Sequence, residues 1–434
     1  MLTQPHLTLA HVAPSHTTTT EHIPPERSAR HGQVSASDSI ASHPSLPTMA
    51  ASTRTWALSD LVSRLRCKGK SKSKSKSTSR SKSSSKSPSH VQDTRSPLIA
   101  TPLPLVLAHH QHLLSTLGWT TLTLPPPTPH TPAHPLLAAA TALFLAAQRF
   151  FDAPDAVKAR WSHRLGSEEG WTRIPGEKEF ITLRTQAGCP GVLRAAAARY
   201  WGLMGAHLAG TLERVSASLG MAGGEGEGLG RFVGPGRRMG DGEGERSATM
   251  LRIFRYEGWE AKVVAEPHAD LGLLSAVVGD VPGLEVWGGE GWVAVERGYE
   301  AGGRQATYTV GRTLERLSNG RYPAGAHRVV SYGAAAPRPE GQPGTGGEGA
   351  VEKRYRHSIV FVLRAHEPVV VESAELETEI TGRWAVPVSG VTAGKMYEEI
   401  RGQHFNINIG HAEREKQRRN VREGKAGGET QAAG

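Results

Sequence analysis

Large apolar residues are sparse before Leu98 and regularly patterned after it. Residues 109–117 are spaced as a short helix, and residues 118–124 alternate as a strand does. A Pro-rich stretch, 125–135, interrupts the chain. Residues 136–151 form a long helical run stopped by Asp152-Ala153-Pro154. Residues 195–219 predict a second long helix, with apolar positions at Trp201, Leu203, Met204, Leu208, Leu212 and Val215. The Gly-rich run 220–244 ends it and reads as a mobile surface insertion. From Ala248 the character changes to short β segments: 250–256, 273–278, 284–287, 292–295, 307–310, 327–332 and 358–363. Gly and Pro turns separate them, a spacing typical of a sandwich or barrel. A second Gly/Pro-rich run, 333–349, lies between the last two. Residues 393–401 predict a short helix, and the charged end from Glu413 onward reads as frayed.

Composition sharpens the N-terminal part. Residues 1–95 are rich in Ser, Thr, Pro, His and Lys, and such a segment cannot bury enough surface to offset its chain entropy. Four segments result: a disordered Ser/Lys-rich arm (1–95), a helical or mixed region (96–247), a β core (248–405) and a charged tail (406–434). Met49 opens a less biased stretch than the run before it and is an alternative start. The formal charge is +10, and residues 61–92 hold ten basic residues and no acidic one, so the remainder is neutral. The excess charge therefore belongs to an arm, not to a basic binding face. Weak nucleic-acid contact through that arm is conceivable, but the neutral remainder disfavours a broad phosphate-binding surface. No window offers the ~20 continuous apolar residues of a spanning helix. Cys67 and Cys189 cannot make a disulfide framework, and the start lacks a secretory apolar core. The expected location is intracellular and cytoplasmic, with a nuclear one left open by the basic arm.

The chemistry concentrates at Glu266-Pro-His268-Ala-Asp270. Two ligand-type side chains two residues apart on a strand share a face. His327 is the candidate third ligand. Two imidazoles and a carboxylate on one side of an octahedron leave three positions open, the facial arrangement of non-haem Fe(II) oxygenases. The composition alone produces roughly two His-x-acid matches, and the second, His411-Ala-Glu413, opens a polar tail and reads as noise. The His109, His110, His112 cluster reads as a helix surface. Arg356-His357-Ser358 leads an apolar strand, and its guanidinium and hydroxyl, two apart, could grip a carboxylate together.

The chain resembles the isopenicillin N synthase-like family of Fe(II)- and 2-oxoglutarate-dependent oxygenases. The likeness rests on five blocks in family order: Phe150-Phe-Asp-Ala-Pro154 with Lys158, Leu251-Arg-Ile-Phe-Arg-Tyr256, His268-Ala-Asp270, Leu317-Ser-Asn-Gly320 through His327, and Arg356-His-Ser358. It spans residues 98–405 and implies a double-stranded β-helix, or jelly roll, behind an N-terminal helical region. It further implies Fe(II) held by His268, Asp270 and His327, and the distal carboxylate of 2-oxoglutarate held by Arg356 and Ser358. Tyr256 falls where the family often places a tyrosine near the cosubstrate. Dioxygen would be the second cosubstrate, and a small organic substrate of secondary metabolism would be hydroxylated or desaturated with release of succinate and carbon dioxide. Two departures stand out: the long link between His327 and Arg356, and Arg312 after Gly311 where relatives carry an aspartate. Residues 166–184, with Trp171, Glu177, Lys178 and Glu179, are either substrate pocket or polar surface. Three other readings remain open: an oxidase of the same family that needs no 2-oxoglutarate, a non-catalytic jelly-roll binding module, and a nucleic-acid-directed protein anchored by its arm.

Overall fold

A computed structural model describes residues 93–125, 127–163, 168–222, 226–298, 305–333, 355–404 and 406–420. The Lys/Ser run, Met49 and nearly all of the second Gly/Pro-rich stretch lie outside them. Residues 93–95, assigned above to the arm, belong to the folded part: Arg95 Nη1 donates to Asn319 O at 2.8 Å and Thr381 O at 3.1 Å.

Eight strands build the centre: β4 (Met250–Glu257), β5 (Ala261–His268), β6 (Leu274–Gly279), β7 (Leu284–Trp287), β8 (Trp292–Val293), β9 (Gln305–Val310), β10 (His327–Tyr332) and β11 (Tyr355–Leu363). They fall into two antiparallel sheets. The larger has the order β9-β6-β11-β4 and the smaller β5-β10-β7-β8. The chain therefore passes back and forth between the sheets as it winds, which is a double-stranded β-helix. Three earlier strands extend the larger sheet: β1 (Trp119–Thr123) beside β9, and β2 (Gly170–Ile174) and β3 (Lys178–Leu183) beyond β4. A small pair, β12 (Val370–Val371) and β13 (Val391–Thr392), stands apart.

The helices follow from local chemistry. α1 (Gln111–Leu117) ends at Gly118, whose φ of +73° suits glycine. α2 (Pro135–Asp152) starts with proline at its first position and a His134 side chain accepting from Leu136 N. After the short α3 (Asp155–Lys158) comes α4 (Gly191–Ser218), and α2 and α4 cover the outer face of the larger sheet. Their buried residues include Leu143, Phe151, Tyr200, Trp201 and Leu208. Each such large side chain contributes roughly 1.5–3 kcal/mol on burial. A second core lies between the sheets, from Trp119, Phe180, Phe254, Val277 and Val286. α5 (Arg312–Leu317) and α6 (Ala393–Gly402) complete the described helical elements named here. No single described helix is long and apolar enough to cross a membrane.

Two expectations are corrected. The Gly-rich run after α4 is not a surface insertion: Leu229 and Phe232 are fully buried in the outer core, and short 3-10 turns carry the chain there. The charged end is not frayed at Glu413, because residues 411–420 are helical and Arg414 is buried.

Candidate metal centre

The strand ladder brings His268 and His327 together: they are direct cross-strand partners on β5 and β10. Their ring centroids lie 4.2 Å apart. His268 Nδ1 is 2.7 Å from Glu266 O, and His327 Nδ1 is 3.1 Å from Gly325 O. A carbonyl only accepts, so each Nδ1 carries the proton and each Nε2 is left as a lone-pair donor. Asp270 is not on the strand, as the spacing suggested, but just past the end of β5 at His268. The chain turns there, fixed by Arg312 N donating to Asp270 O at 2.8 Å. Asp270 Oδ2 comes within 3.9 Å of His327 Nε2, and one ligand atom from each of the three residues lies within 4.8 Å of the others. Two imidazole nitrogens and a carboxylate oxygen suit a borderline divalent cation such as Fe(II). It is the one such group of three among the described residues.

Desolvation, then the neighbouring His327 ring, holds His268 far below the usual imidazole range. Desolvation works to raise Asp270, yet His327 and His268 overcome it and keep the carboxyl below its ordinary value. All three line a cavity of about 1020 Å³ between the sheets. Arg312 needs only its backbone N–H for the turn, and its side chain pairs with Glu315 at 2.8 Å. The departure from the family pattern thus leaves the Asp270 turn intact.

Tyr256, Arg356 and Ser358 also come together. Arg356 is the register partner of Tyr256, and its guanidinium lies over the Tyr256 ring at 5.4 Å. Tyr256 and Ser358 line the cavity, and burial pushes the phenol up to about 12. Arg356 is buried and already partly committed. Its Nη2 is 3.0 Å from both oxygens of Glu296, and its Nε donates to Val281 O at 3.1 Å. Glu296 Oε2 also accepts from the backbone N–H groups of Gly283 and Leu284, at 2.7 Å each. Glycine at 279 and 283 makes room for this pair, since a Cβ at Gly283 would lie 2.5 Å from Arg356 Nε. Arg356 Nη1 remains buried without a hydrogen-bond partner. Unlike Tyr256 and Ser358, Arg356 is not among the residues that line the cavity, and its one orphaned donor would meet a carboxylate at a lower net charge than a free arginine would offer.

Glu296 escaped the sequence reading because it lies in a Gly-rich stretch with no motif. Arg252 escaped too, although it shares a strand face with Phe254 and Tyr256, and that alternation was a usable signal. Residues 168–184 are part cavity wall and part surface, with Arg173, Pro175 and Gly176 exposed. Glu168, Thr172 and Phe180 line the cavity. Glu179 faces away and gathers Lys158 at 3.0 Å, Trp171 Nε1 at 2.9 Å and Arg255 Nε at 2.8 Å, so these charges serve packing. Buried Lys178 donates to Ile407 O at 3.2 Å, and burial pushes it down to about 7. Residues 406–409 and Gln417 close one side of the cavity. Arg414 holds that segment down, donating to Glu177 at 3.0 and 2.6 Å and lying 3.2 Å from Glu266. The two sequence decoys are structural: His110 Nδ1 pairs with Thr121 Oγ1 at 2.7 Å, and exposed His411 starts the last helix.

No protein-family model matches the chain, and no curated relative is found by sequence similarity. Solved oxygenase structures are similar at low identity. A full-length Neurospora crassa protein, in complex with alpha-KG and thymine, is 14% identical with a TM-score of 0.48, over 68% of this chain and 89% of that one. JOX2, in complex with 2OG, Fe and JA, is 16% identical with a TM-score of 0.48, over 67% and 78%. The rice dioxygenase for auxin oxidation is 21% identical with a TM-score of 0.45, over 66% and 85%. What those proteins bind belongs to them, and the jelly roll of this chain follows from its own strand order.

Proposed function

We propose that the chain is a non-haem Fe(II)- and 2-oxoglutarate-dependent dioxygenase acting on a small organic molecule. The observation that carries this is the convergence of His268, Asp270 and His327 on the cavity between the sheets, both imidazoles already set to present Nε2. His268 and His327 would bind as neutral donors and Asp270 as the anionic one. Arg356 Nη1, with Tyr256 and Ser358, would receive the distal carboxylate of the keto acid. Phe180, Phe254, Val277 and Leu284 would give the space between an apolar lining. When bound, Fe(II) would supply dioxygen activation coupled to decarboxylation of 2-oxoglutarate, one oxygen atom entering succinate and the other entering the substrate in hydroxylation or leaving as water in desaturation. The five blocks quoted above support placement in the isopenicillin N synthase-like branch, and hydroxylation or desaturation in secondary metabolism is the reaction expected of it.

A second reading is favoured by Glu296. With its carboxylate already on Arg356, an oxidase of the same family that needs no 2-oxoglutarate is the alternative. One experiment separates them. The full chain is given Fe(II) without oxygen and titrated with 2-oxoglutarate while the visible spectrum is recorded. A weak charge-transfer band that needs both components supports the first reading. Iron binding without the band sinks it in favour of the second, and no iron binding sinks both and leaves a binding module.

A further inference from the structure

The reading above uses the Tyr256 end of the cavity. Arg252 lies four residues earlier on the same face of β4, about 13 Å away along the strand. Four arginines line the cavity: Arg252, Arg312, Arg364 and Arg401. Three of them have carboxylate partners, Arg312 with Glu315, Arg364 with Glu168 in a two-pronged pair, and Arg401 with Glu398. Arg252 differs. Its Nε donates to Thr182 Oγ1 at 2.7 Å, and its Nη2 meets only the Met250 sulfur at 3.5 Å, a poor acceptor. Its guanidinium lies over Phe180 and Phe254, at 5.4 and 6.0 Å. Among the described residues no carboxylate comes within 4.0 Å of it. The nearby Glu168 is spent on Arg364. Arg252 is partly buried, and desolvation lowers its affinity for its proton against the opposing charges of Glu168 and Asp270.

A guanidinium drawn partly out of water with no carboxylate in contact is a ready partner for an anion that enters the cavity. Thr182 fixes its Nε, so the outer edge is presented in one orientation, with the fork that matches a carboxylate. We propose that Arg252 binds a carboxylate carried by the primary substrate, whose apolar body then lies along Phe180 and Phe254 toward the triad. This rests on the oxygenase reading and narrows its substrate to a small organic anion. Arg252 would act in specificity, with no part in the oxidation itself.

The test uses the full chain with Mn(II) in place of Fe(II) and saturating 2-oxoglutarate. Phenylacetate, 3-phenylpropionate and octanoate are each titrated beside their own primary amides, and the melting temperature is followed. The expected result is that at least one acid binds tenfold or more tightly than its amide. In Arg252→Gln the preference disappears while the shift from Mn(II) and 2-oxoglutarate persists, and Arg252→Lys keeps part of it. If Arg252→Gln does not fold, Thr182→Val serves, because it frees the guanidinium and should cut the preference several-fold. Equal binding of acid and amide by the unaltered chain, absence of binding by every acid, or a preference that survives both substitutions overturns the proposal. So does strict competition between acid and 2-oxoglutarate, which would make the keto acid the occupant. Failure of the unaltered chain to respond to Mn(II) and 2-oxoglutarate at all is a different result, and it overturns the oxygenase reading beneath the proposal.

Discussion

The triad and the Arg356 cluster sit on the two facing sheets of one barrel, yet their charges are balanced in opposite ways. At the triad both imidazoles spend their only proton on backbone carbonyls, and Asp270 is left as an anion with no cation in contact. At Arg356 the cation has its own carboxylate, Glu296, which is itself fixed by two backbone N–H groups. The first site is built to gain positive charge from outside. The second is nearly neutral before any ligand arrives, with Arg356 Nη1 and the Ser358 hydroxyl left over. Two motifs that the sequence offers in order thus differ in how much of their binding capacity is free.

Four measurements would break or sharpen this contrast. The largest effect is expected from His327→Ala. Loss of an outer partner of a metal ligand costs roughly 10–100-fold in affinity, and loss of the ligand should exceed that. Metal titration of the variant checks it, and unchanged affinity would show that the three residues are not a metal site. Next comes Glu296→Gln, which leaves a buried guanidinium unpaired at about 3–5 kcal/mol. Its melting temperature should fall, and 2-oxoglutarate should restore more than it adds to the unaltered chain. An equal gain in both would mean that the keto acid does not meet Arg356.

Arg414→Ala tests the wall rather than the sites. Without its contacts to Glu177 and to the carbonyls of Ile407 and Ile409, the last helix should open. Tryptic cleavage within 411–420 should quicken by about tenfold, equivalent to about 1.4 kcal/mol of opening free energy, with metal affinity unchanged. The smallest effect concerns a second self-neutralised pair. Desolvation favours a raised Glu168 carboxyl, but Arg364, then Arg252 and Arg184, hold it down at about 2 against an ordinary 4.5. Because the folded value is depressed, its stabilisation is present above pH 4.5 and is lost as pH falls toward 2. Acid unfolding curves should therefore be flatter across that window in Glu168→Gln, and curves of equal slope would remove Glu168 from the set of compensated charges.

The sequence was most legible where chemistry and periodicity coincide. His268, Asp270 and His327 stood out because ligand-type residues are rare in an apolar β context, and β7 and β10 have the bounds that alternation predicted. Strands β2 and β3 were opaque because Lys178 and Glu179 look like surface. Burial of Lys158, Lys178 and Glu179 becomes intelligible only when distant partners such as Arg255 and Ile407 are in place. The same holds for Leu229 and Phe232, whose Gly-rich neighbours suggest a loose loop although α4 and the barrel enclose both side chains. Glu296 was invisible for a related reason: its role depends on Arg356, 60 residues away.

The last described helix has a genetic corollary. A stop codon placed just after Gln403 would spare every described strand and all three candidate ligands, and both long helices would remain. Such a truncated chain should fold and take up metal, so an assay for soluble, metal-loaded protein would score the allele as normal. It would nonetheless lack Ile407, Asn408, Ile409 and Gln417 from the cavity wall, and buried Lys178 would lose the carbonyl it donates to. Under the proposed oxygenase reading, lesions beyond codon 403 should therefore be sought by substrate turnover rather than by abundance.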